Sequence, residues 1–103
     1  MQRYQIRYYS EDVEKEILTL PISISAKYFQ YTDMLEEFGA NLGMPHTRGM
    51  GDGLFELRVK GKEGIARVFY CTMVGKQIII LHSFVKKTEK TPQKELKIAK
   101  KSA

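Results

Sequence analysis

Five basic side chains lie on or just after predicted strands in the second half of the chain: Arg58, Arg67, His82, Lys86 and Lys87. The residues around them do not make a familiar hydrolytic site. Two histidines and one cysteine stand far apart, without the spacing of metal ligands. The carboxylates of this half show no paired arrangement, and no pattern supports a serine triad. What remains is a group of cations that includes one histidine.

Such a group suits the cleavage of RNA, because RNA carries its own nucleophile, the 2′-hydroxyl. The reaction needs a base for that hydroxyl, positive charge for the crowded phosphorane, and a proton for the departing 5′-oxygen. Fixed Arg and Lys side chains supply the charge. His82 is the natural acid or base, and Lys86, crowded by Lys87, is a second candidate. Side chains predicted to bind the RNA backbone or stack on its bases are Arg58, Lys60, Phe55 and Lys90.

The distribution of charge also points to a polyanionic partner. Residues 1–53 contain 5 Lys or Arg and 8 Asp or Glu, whereas residues 54–103 contain 12 and 4. The formal net charge of +5 therefore arises from the second half. A nucleic acid is the simplest partner for such a chain, and the alternative is a solvated basic surface.

Composition favours one globular domain over residues 1–103, with 43% hydrophobic and 28% charged residues. The single cysteine, Cys71, cannot form an internal disulfide, which favours a reducing compartment. We expect it to be a small buried hydrophobe, not a catalytic thiol. No run resembles a signal peptide or a membrane span, so a cytoplasmic protein with no membrane partner is expected. No cofactor is expected.

Three strands are predicted in the basic half. Residues 54–60 alternate apolar and polar, residues 65–73 are rich in β-branched and aromatic types, and residues 77–85 are almost continuously apolar. The joints at 60–64 and 74–76 are of hairpin length and carry glycine. An antiparallel meander is therefore predicted, with its last strands buried on both faces.

The first half predicts a strand and two helices. Residues 3–9 alternate in the manner of an edge or second strand. Ser10 is placed to cap a short helix whose apolar residues are Val13 and Ile17, with Pro21 closing it. A longer helix follows and ends at Gly39. Its predicted core stripe, at spacings of four and three, is Ile24, Tyr28, Tyr31, Leu35 and Phe38.

The remaining segments complete the order β-α-α-β-β-β-α. Residues 39–53 hold five of the eight glycines and are predicted to be loop, with His46 and Arg48 given no role. The run GMGDG is followed by a strand and not a helix, so its glycines indicate turns and not a phosphate loop. A basic helix at 93–101 is predicted to begin after Thr91-Pro92, with Leu96 and Ala99 as its apolar side. The expected fold is α+β, an antiparallel sheet with two N-terminal helices on one face and a short C-terminal helix.

The segments LFELRVKGKEGIARVFY and IIILHSFVKKTEKTP, with the basic helix after them, resemble the RelE/HigB-type toxins of bacterial and phage toxin–antitoxin systems. More narrowly they are similar to the phage-derived HigB-like branch of the RelE/ParE superfamily, whose members read GLWELRV, RVFY and LHGFVKKT. The helix ending LEEFG matches as well, so the resemblance covers roughly residues 21–101. It implies a RelE-like domain that cuts mRNA, usually on the ribosome, and is neutralised by an antitoxin with a helix-turn-helix domain.

The resemblance also implies roles for single residues. Arg58 falls on the arginine of the LR strand motif, and Arg67 on the arginine before VFY, which in RelE-type enzymes contacts the scissile phosphate. Lys86 and Lys87 fall where the family keeps a phosphate-stabilising cation, and His82 matches the LH.F pattern. Glu56 departs from the family, because it stands where the best-studied members carry a strand lysine. A C-terminal tyrosine is also missing after the lysines.

Each assignment has a structural alternative. Arg58 and Arg67 could pair with Glu56 or Glu63 across the hairpin. His82 could be a hydrogen-bonded core histidine, and the lysines a solvated strand end. For the whole chain, the alternatives to a nuclease are a ParE-like inhibitor that binds DNA gyrase and a phage-derived binding protein without activity.

Overall fold

The computed structural model describes the backbone of residues 3–86 and 93–102 and the side chains of residues 3–86 and 97–102. Its elements, in chain order, are β1 (Gln5–Tyr8), α1 (Glu11–Leu18), α2 (Ile22–Phe38), β2 (Thr47–Gly51), β3 (Leu54–Gly61), β4 (Gly64–Met73), β5 (Gln77–Lys86) and α3 (Gln93–Ser102). The predicted α+β class is confirmed. Five strands form one sheet in the order β1-β5-β4-β3-β2.

The predicted meander is confirmed as the centre of this sheet. β3 pairs antiparallel with β4, placing Arg58 opposite Arg67, and β4 pairs antiparallel with β5, placing Phe69 opposite His82. The hairpin between β3 and β4 is tight, because Gly61 pairs with Gly64. These three strands carry every predicted site residue except Lys87 and Lys90, which lie outside the described residues.

The two edge strands differ from the expectation. β1 pairs with β5 in parallel, so the sheet is mixed and not wholly antiparallel. β2 lies within the segment predicted to be loop, where Thr47 pairs with Leu57 of β3. Its sequence, TRGMG, has low strand propensity, so hydrogen bonding to β3 defines the strand. The turn after it is built as predicted, with Gly51 at φ 87° and Gly53 at φ 74°.

The first two helices pack as expected, with one correction. The Ser10 hydroxyl accepts a hydrogen bond from the Val13 amide at 3.2 Å and caps α1. Val13 and Ile17 are buried. In α2, however, Phe38 is 68% exposed and does not belong to the core stripe. It is the last residue of the helix before Gly39 turns the chain at φ 96°, and it lies beyond the last buried turn.

The two faces of the sheet have different chemistry. The helix face packs against α1 and α2 through an apolar core that includes Leu57, Val59, Ala66, Val68, Tyr70, Ile78 and Ile80. The opposite face, called here the basic face, carries Arg58, Lys60, Arg67, His82 and Lys86. α3 packs on one end of the basic face.

α3 docks through a small apolar cluster. Ala99 is fully buried with Leu54, Phe69 and Leu81, as expected, whereas its neighbour Ile98 is 38% exposed. The predicted contact of Leu96 and the predicted start at Thr91-Pro92 lie outside the described side chains and residues.

Candidate active site

An ion pair between Arg67 and Glu56 lies at the centre of the basic face. Nη1 of Arg67 donates to Oε1 of Glu56 at 3.2 Å, and the two side chains are 1% and 0% exposed. The pairing alternative considered for Arg67 is therefore present in the structure. A phosphate could reach this guanidinium only if the cover over it moved and the phosphate replaced or shared the carboxylate.

Arg58 lies directly across from Arg67 on the neighbouring strand. Two like charges in such a position repel each other, and the Glu56 carboxylate on the same face offsets that repulsion. Arg58 is partly exposed, but its Nε atom is buried and makes no hydrogen bond among the described residues. A buried donor without an acceptor costs about 1–3 kcal/mol. Because Arg58 is cationic and partly exposed, it is suited to receive an anion.

A β-bulge directs His82 to this face. Phe69 pairs with His82 but the next residue of β4, Tyr70, pairs with Ile80, which leaves Leu81 as an extra residue in β5. The extra residue resets the alternation of side chains, so His82 and Ile79 share one face. The His82 ring lies parallel to that of Phe69, with centroids 6.4 Å apart and an interplanar angle of 7°. His82 is partly exposed, so it is not a fully buried core histidine.

Lys60 and Lys86 mark the open end of the basic face. Each of them pairs with Ile65 of β4, Lys60 from β3 on one side and Lys86 from β5 on the other. Both lysines are exposed. Their positive charges face solvent at this end of the sheet. The structure thus brings together Arg58, Lys60, Arg67, His82 and Lys86 from the predicted set.

Phe55 is not with them. It lies on the helix face, packed against the core there, with its ring stacked on Tyr70 at 5.5 Å and 17°. Phe55 has the same parity along β3 as Leu57 and Val59, and that alternation could have placed it in the core. The aromatic ring of the basic face that is partly exposed beside His82 is Phe84, with centroids 6.1 Å apart.

Glu56 is the residue whose importance the sequence analysis missed. The sequence indicated it as a departure from the resembled family and as one of two alternative partners for the arginines, and in the structure it is the buried partner of Arg67. The alternation of side chains along β3 was again informative, because it places Glu56 on the same face as Arg58. The exposed Arg48 on β2 pairs opposite Glu56 and extends the row of charges to the sheet edge.

Other chemistry is limited in the described part of the chain. No three His, Cys, Asp or Glu side chains within residues 3–86 and 97–102 come together to hold a metal ion. Burial raises the pKa of the Cys71 thiol, which disfavours the reactive thiolate. Among the described helices, none is both long and apolar enough to cross a membrane.

Comparison with known proteins identifies the family of the chain. No curated protein matches the sequence. Residues 15–103 match the family described as "Phage derived protein Gp49-like (DUF891)", which is related to the RelE/ParE-type toxins. That match spans α2, the whole meander and the basic face. The chain is therefore a member of the Gp49-like family of phage-derived proteins.

Proposed function

We propose that the chain is the toxin of a toxin–antitoxin pair and acts as a metal-independent endoribonuclease on mRNA, with the ribosome as its platform. The family relation supports a toxin. The observation that carries the nuclease is the grouping of Arg58, Arg67 and His82 in two neighbouring cross-strand rows of the basic face. One row contains the two arginines, and the other contains Glu56, Phe69 and His82.

The proposed reaction assigns each group a step. A base, His82 or Glu56, removes the proton of the 2′-hydroxyl, and the 2′-oxygen attacks the adjacent phosphorus. Arg58 and Arg67 stabilise the charge on the phosphorane oxygens. The bond from phosphorus to the 5′-oxygen then breaks, and that oxygen takes a proton from His82 where Glu56 is the base, or from Lys86 where His82 is the base. The products are a 2′,3′-cyclic phosphate and a 5′-hydroxyl.

The burial of Arg67 and Glu56 adds a condition to this proposal. Both are essentially unexposed, so RNA can contact them only when the cover over the basic face moves. α3 packs beside this ion pair on the same face, where its buried Ala99 contacts the cluster of Leu54, Phe69 and Leu81. We expect RNA to displace α3, and we expect a helix-turn-helix antitoxin to block the basic face.

The proposal is tested by induced expression in bacteria, with growth followed and mRNA 5′ ends mapped. Arg58→Ala and His82→Gln are the informative variants, because both residues are partly exposed and neither substitution breaks the buried ion pair. Lys62→Ala is the matched control, an exposed lysine in the β3–β4 turn. Growth arrest with new cuts within coding regions is expected for wild type and the control, and both effects should be lost in the two variants.

The same burial favours one second candidate, a toxin that inhibits its target by binding. A closed face in which the Arg67–Glu56 pair is unexposed offers no accessible acid–base pair. Growth arrest with intact mRNA and stalled DNA replication would identify such a gyrase-type inhibitor. Absence of arrest would identify a binding protein without toxicity.

A further inference from the structure

A pocket opens at the edge of β3, beyond the point where β2 ends. β2 covers β3 only as far as the pair of Thr47 with Leu57, and the next amide, that of Arg58, donates to the His46 carbonyl at 3.0 Å. Past this bond, no strand in the described part of the chain neighbours the outer edge of β3. The pocket there has a volume of about 260 Å³ and is lined by Tyr31, Pro45, His46, Arg58, Lys60 and Ile65.

One wall of the pocket is aromatic and held in place. The rings of Tyr31, from α2, and His46 meet edge to face, with centroids 4.9 Å apart at 83°. The loop that carries His46 is fixed from within, because the His46 amide donates to the Gly43 carbonyl at 3.1 Å. The Gly43 amide in turn donates to the Thr47 hydroxyl at 2.9 Å. Both rings are partly exposed, so they offer flat surface to a ligand.

The remaining lining is cationic. Arg58 and Lys60 lie on β3 at the floor of the pocket, and none of its described lining residues is a carboxylate. Arg58 is partly exposed and lines this pocket, although its Nε atom is buried. Arg58 can pair with an anion in the pocket, since Arg pairs with phosphate more strongly than with neutral acceptors. Flat rings beside paired cations are the combination that proteins use to hold an unstacked nucleotide.

The size and position of the pocket limit the kinds of ligand that it can hold. Pockets for drug-sized molecules have volumes of roughly 300–1,000 Å³, so this one takes a single base with its phosphate and not an oligonucleotide. The larger groove at the opposite edge of the sheet, about 550 Å³, is lined by three glutamates and one arginine, and this net negative charge disfavours RNA: Glu11, Glu14, Glu36 and Arg7. Because Arg58 lies opposite Arg67, a nucleotide in the small pocket neighbours the proposed reaction centre.

We propose that this pocket binds one unstacked nucleotide of the RNA, with its base against Tyr31 and His46 and its phosphate on Arg58 and Lys60. In this way Tyr31 and His46 help to determine where the strand is cut. This inference rests on the proposed function for its biological meaning. The binding itself stands on the geometry of the pocket and can be measured without any cleavage.

The first experiment titrates ¹⁵N-labelled protein with the four nucleoside 3′-monophosphates and, separately, with inorganic phosphate. Tyr31→Leu keeps the packing against the core and removes the ring, and His46→Ala removes the second ring. Phe38→Ala is the control, since that aromatic is exposed and outside the pocket. Thermal melts confirm that each variant is folded.

Nucleotides are expected to shift the amides of residues 31, 46 and 58–60, and to bind better than phosphate. Loss of a stacking ring should weaken nucleotide binding about 5- to 150-fold, the range for stacking of one base, while Phe38→Ala binds as wild type. Shifts located elsewhere would overturn the inference. So would affinity for phosphate equal to that for nucleotides, or affinity unchanged in both variants.

A cleavage assay separates this inference from the proposed function. If wild type cuts RNA and the two variants cut the same positions at the same rate, the role in cleavage is wrong while the nuclease stands. If wild type cuts no RNA but nucleotides bind in the pocket as described, the nuclease is wrong while the nucleotide site stands.

Discussion

Removal of the Arg67 guanidinium alone should destabilise the fold strongly. Its partner Glu56, whose Oε1 lies 3.2 Å from Nη1 of Arg67, is 0% exposed. Arg67→Met therefore leaves a buried carboxylate without the positive charge of the guanidinium. Breaking a buried pair from one side costs about 3–5 kcal/mol, out of a total stability of about 5–15 kcal/mol for a natural domain. At roughly 4–8 °C per kcal/mol for a domain of this size, the melting midpoint should fall by at least about 12 °C.

The double variant Glu56→Met with Arg67→Met should recover most of this loss, because apolar side chains of similar volume often replace a buried pair without cost. Urea unfolding of wild type, both single variants and the double variant gives the coupling energy. The exposed pair of Lys100 with Asp52 is the control, since its side chains are 44% and 85% exposed. Asp52→Asn should change stability by less than about 1 kcal/mol.

A loss below about 1 kcal/mol for Arg67→Met would refute this reasoning, because it would mean that the pair is hydrated and the basic face open in solution. The double variant also separates structure from chemistry. If it is stable and does not cut RNA, Arg67 or Glu56 takes part in the reaction beyond its role in the fold.

Three further predictions concern the frame around the site. Gly61→Ala should destabilise the fold by about 1–3 kcal/mol, because the added Cβ would lie 2.6 Å from the Ser23 hydroxyl and 3.2 Å from the backbone of α2. The control is Gly49→Ala, whose added Cβ would have nothing within 4 Å. Equal urea midpoints for the two variants would contradict the prediction. Burial raises the pKa of Tyr70 above that of the unfolded chain, so its contribution to stability is full below pH ~10 and falls by about 1.4 kcal/mol per pH unit above it. Tyr70→Phe should show a correspondingly smaller slope of unfolding free energy against pH between 10 and 12, and an unchanged slope would contradict it. Ala99→Asp should undock α3, seen as faster hydrogen exchange of its amides, and protection equal to wild type would show that other contacts hold the helix.

The meander was predictable because its information is local. Alternation in 54–60, β-branched residues in 65–73 and glycines in the joints each indicate strands and hairpins without reference to the rest of the chain. The same holds for the Ser10 cap and for the burial of Ala99, which a helical spacing places on one side.

The edge strands were not predictable in the same way. β2 has two glycines, and it forms a strand because β3 offers hydrogen-bonding groups there. The strand propensities of the residues TRGMG do not predict this pairing. The parallel direction of β1 depends on where α1 and α2 return the chain. The face of His82 depends on a bulge that the sequence does not mark.

Within the site, the sequence indicated which residues take part more readily than which of them contact one another. Arg58, Arg67 and His82 were chosen for their chemistry, and the structure brings them to one face. Phe55 was chosen for its exposure and lies instead against Tyr70. The Glu56–Arg67 pair requires both the parity of β3 and the register of β3 with β4. The register follows only once the hairpin at 61–64 is fixed.

The central claim is cleavage by the RNA's own 2′-hydroxyl on the basic face. The most direct test incubates purified protein, with and without ribosomes, with a mapped mRNA and with the same mRNA carrying one 2′-deoxy nucleotide at the cut site. We predict products ending in a 2′,3′-cyclic phosphate and a 5′-hydroxyl, no cut at the deoxy position, and no cut by Arg58→Ala. Cleavage that persists at the deoxy position, or products with a 5′-phosphate, would contradict this account.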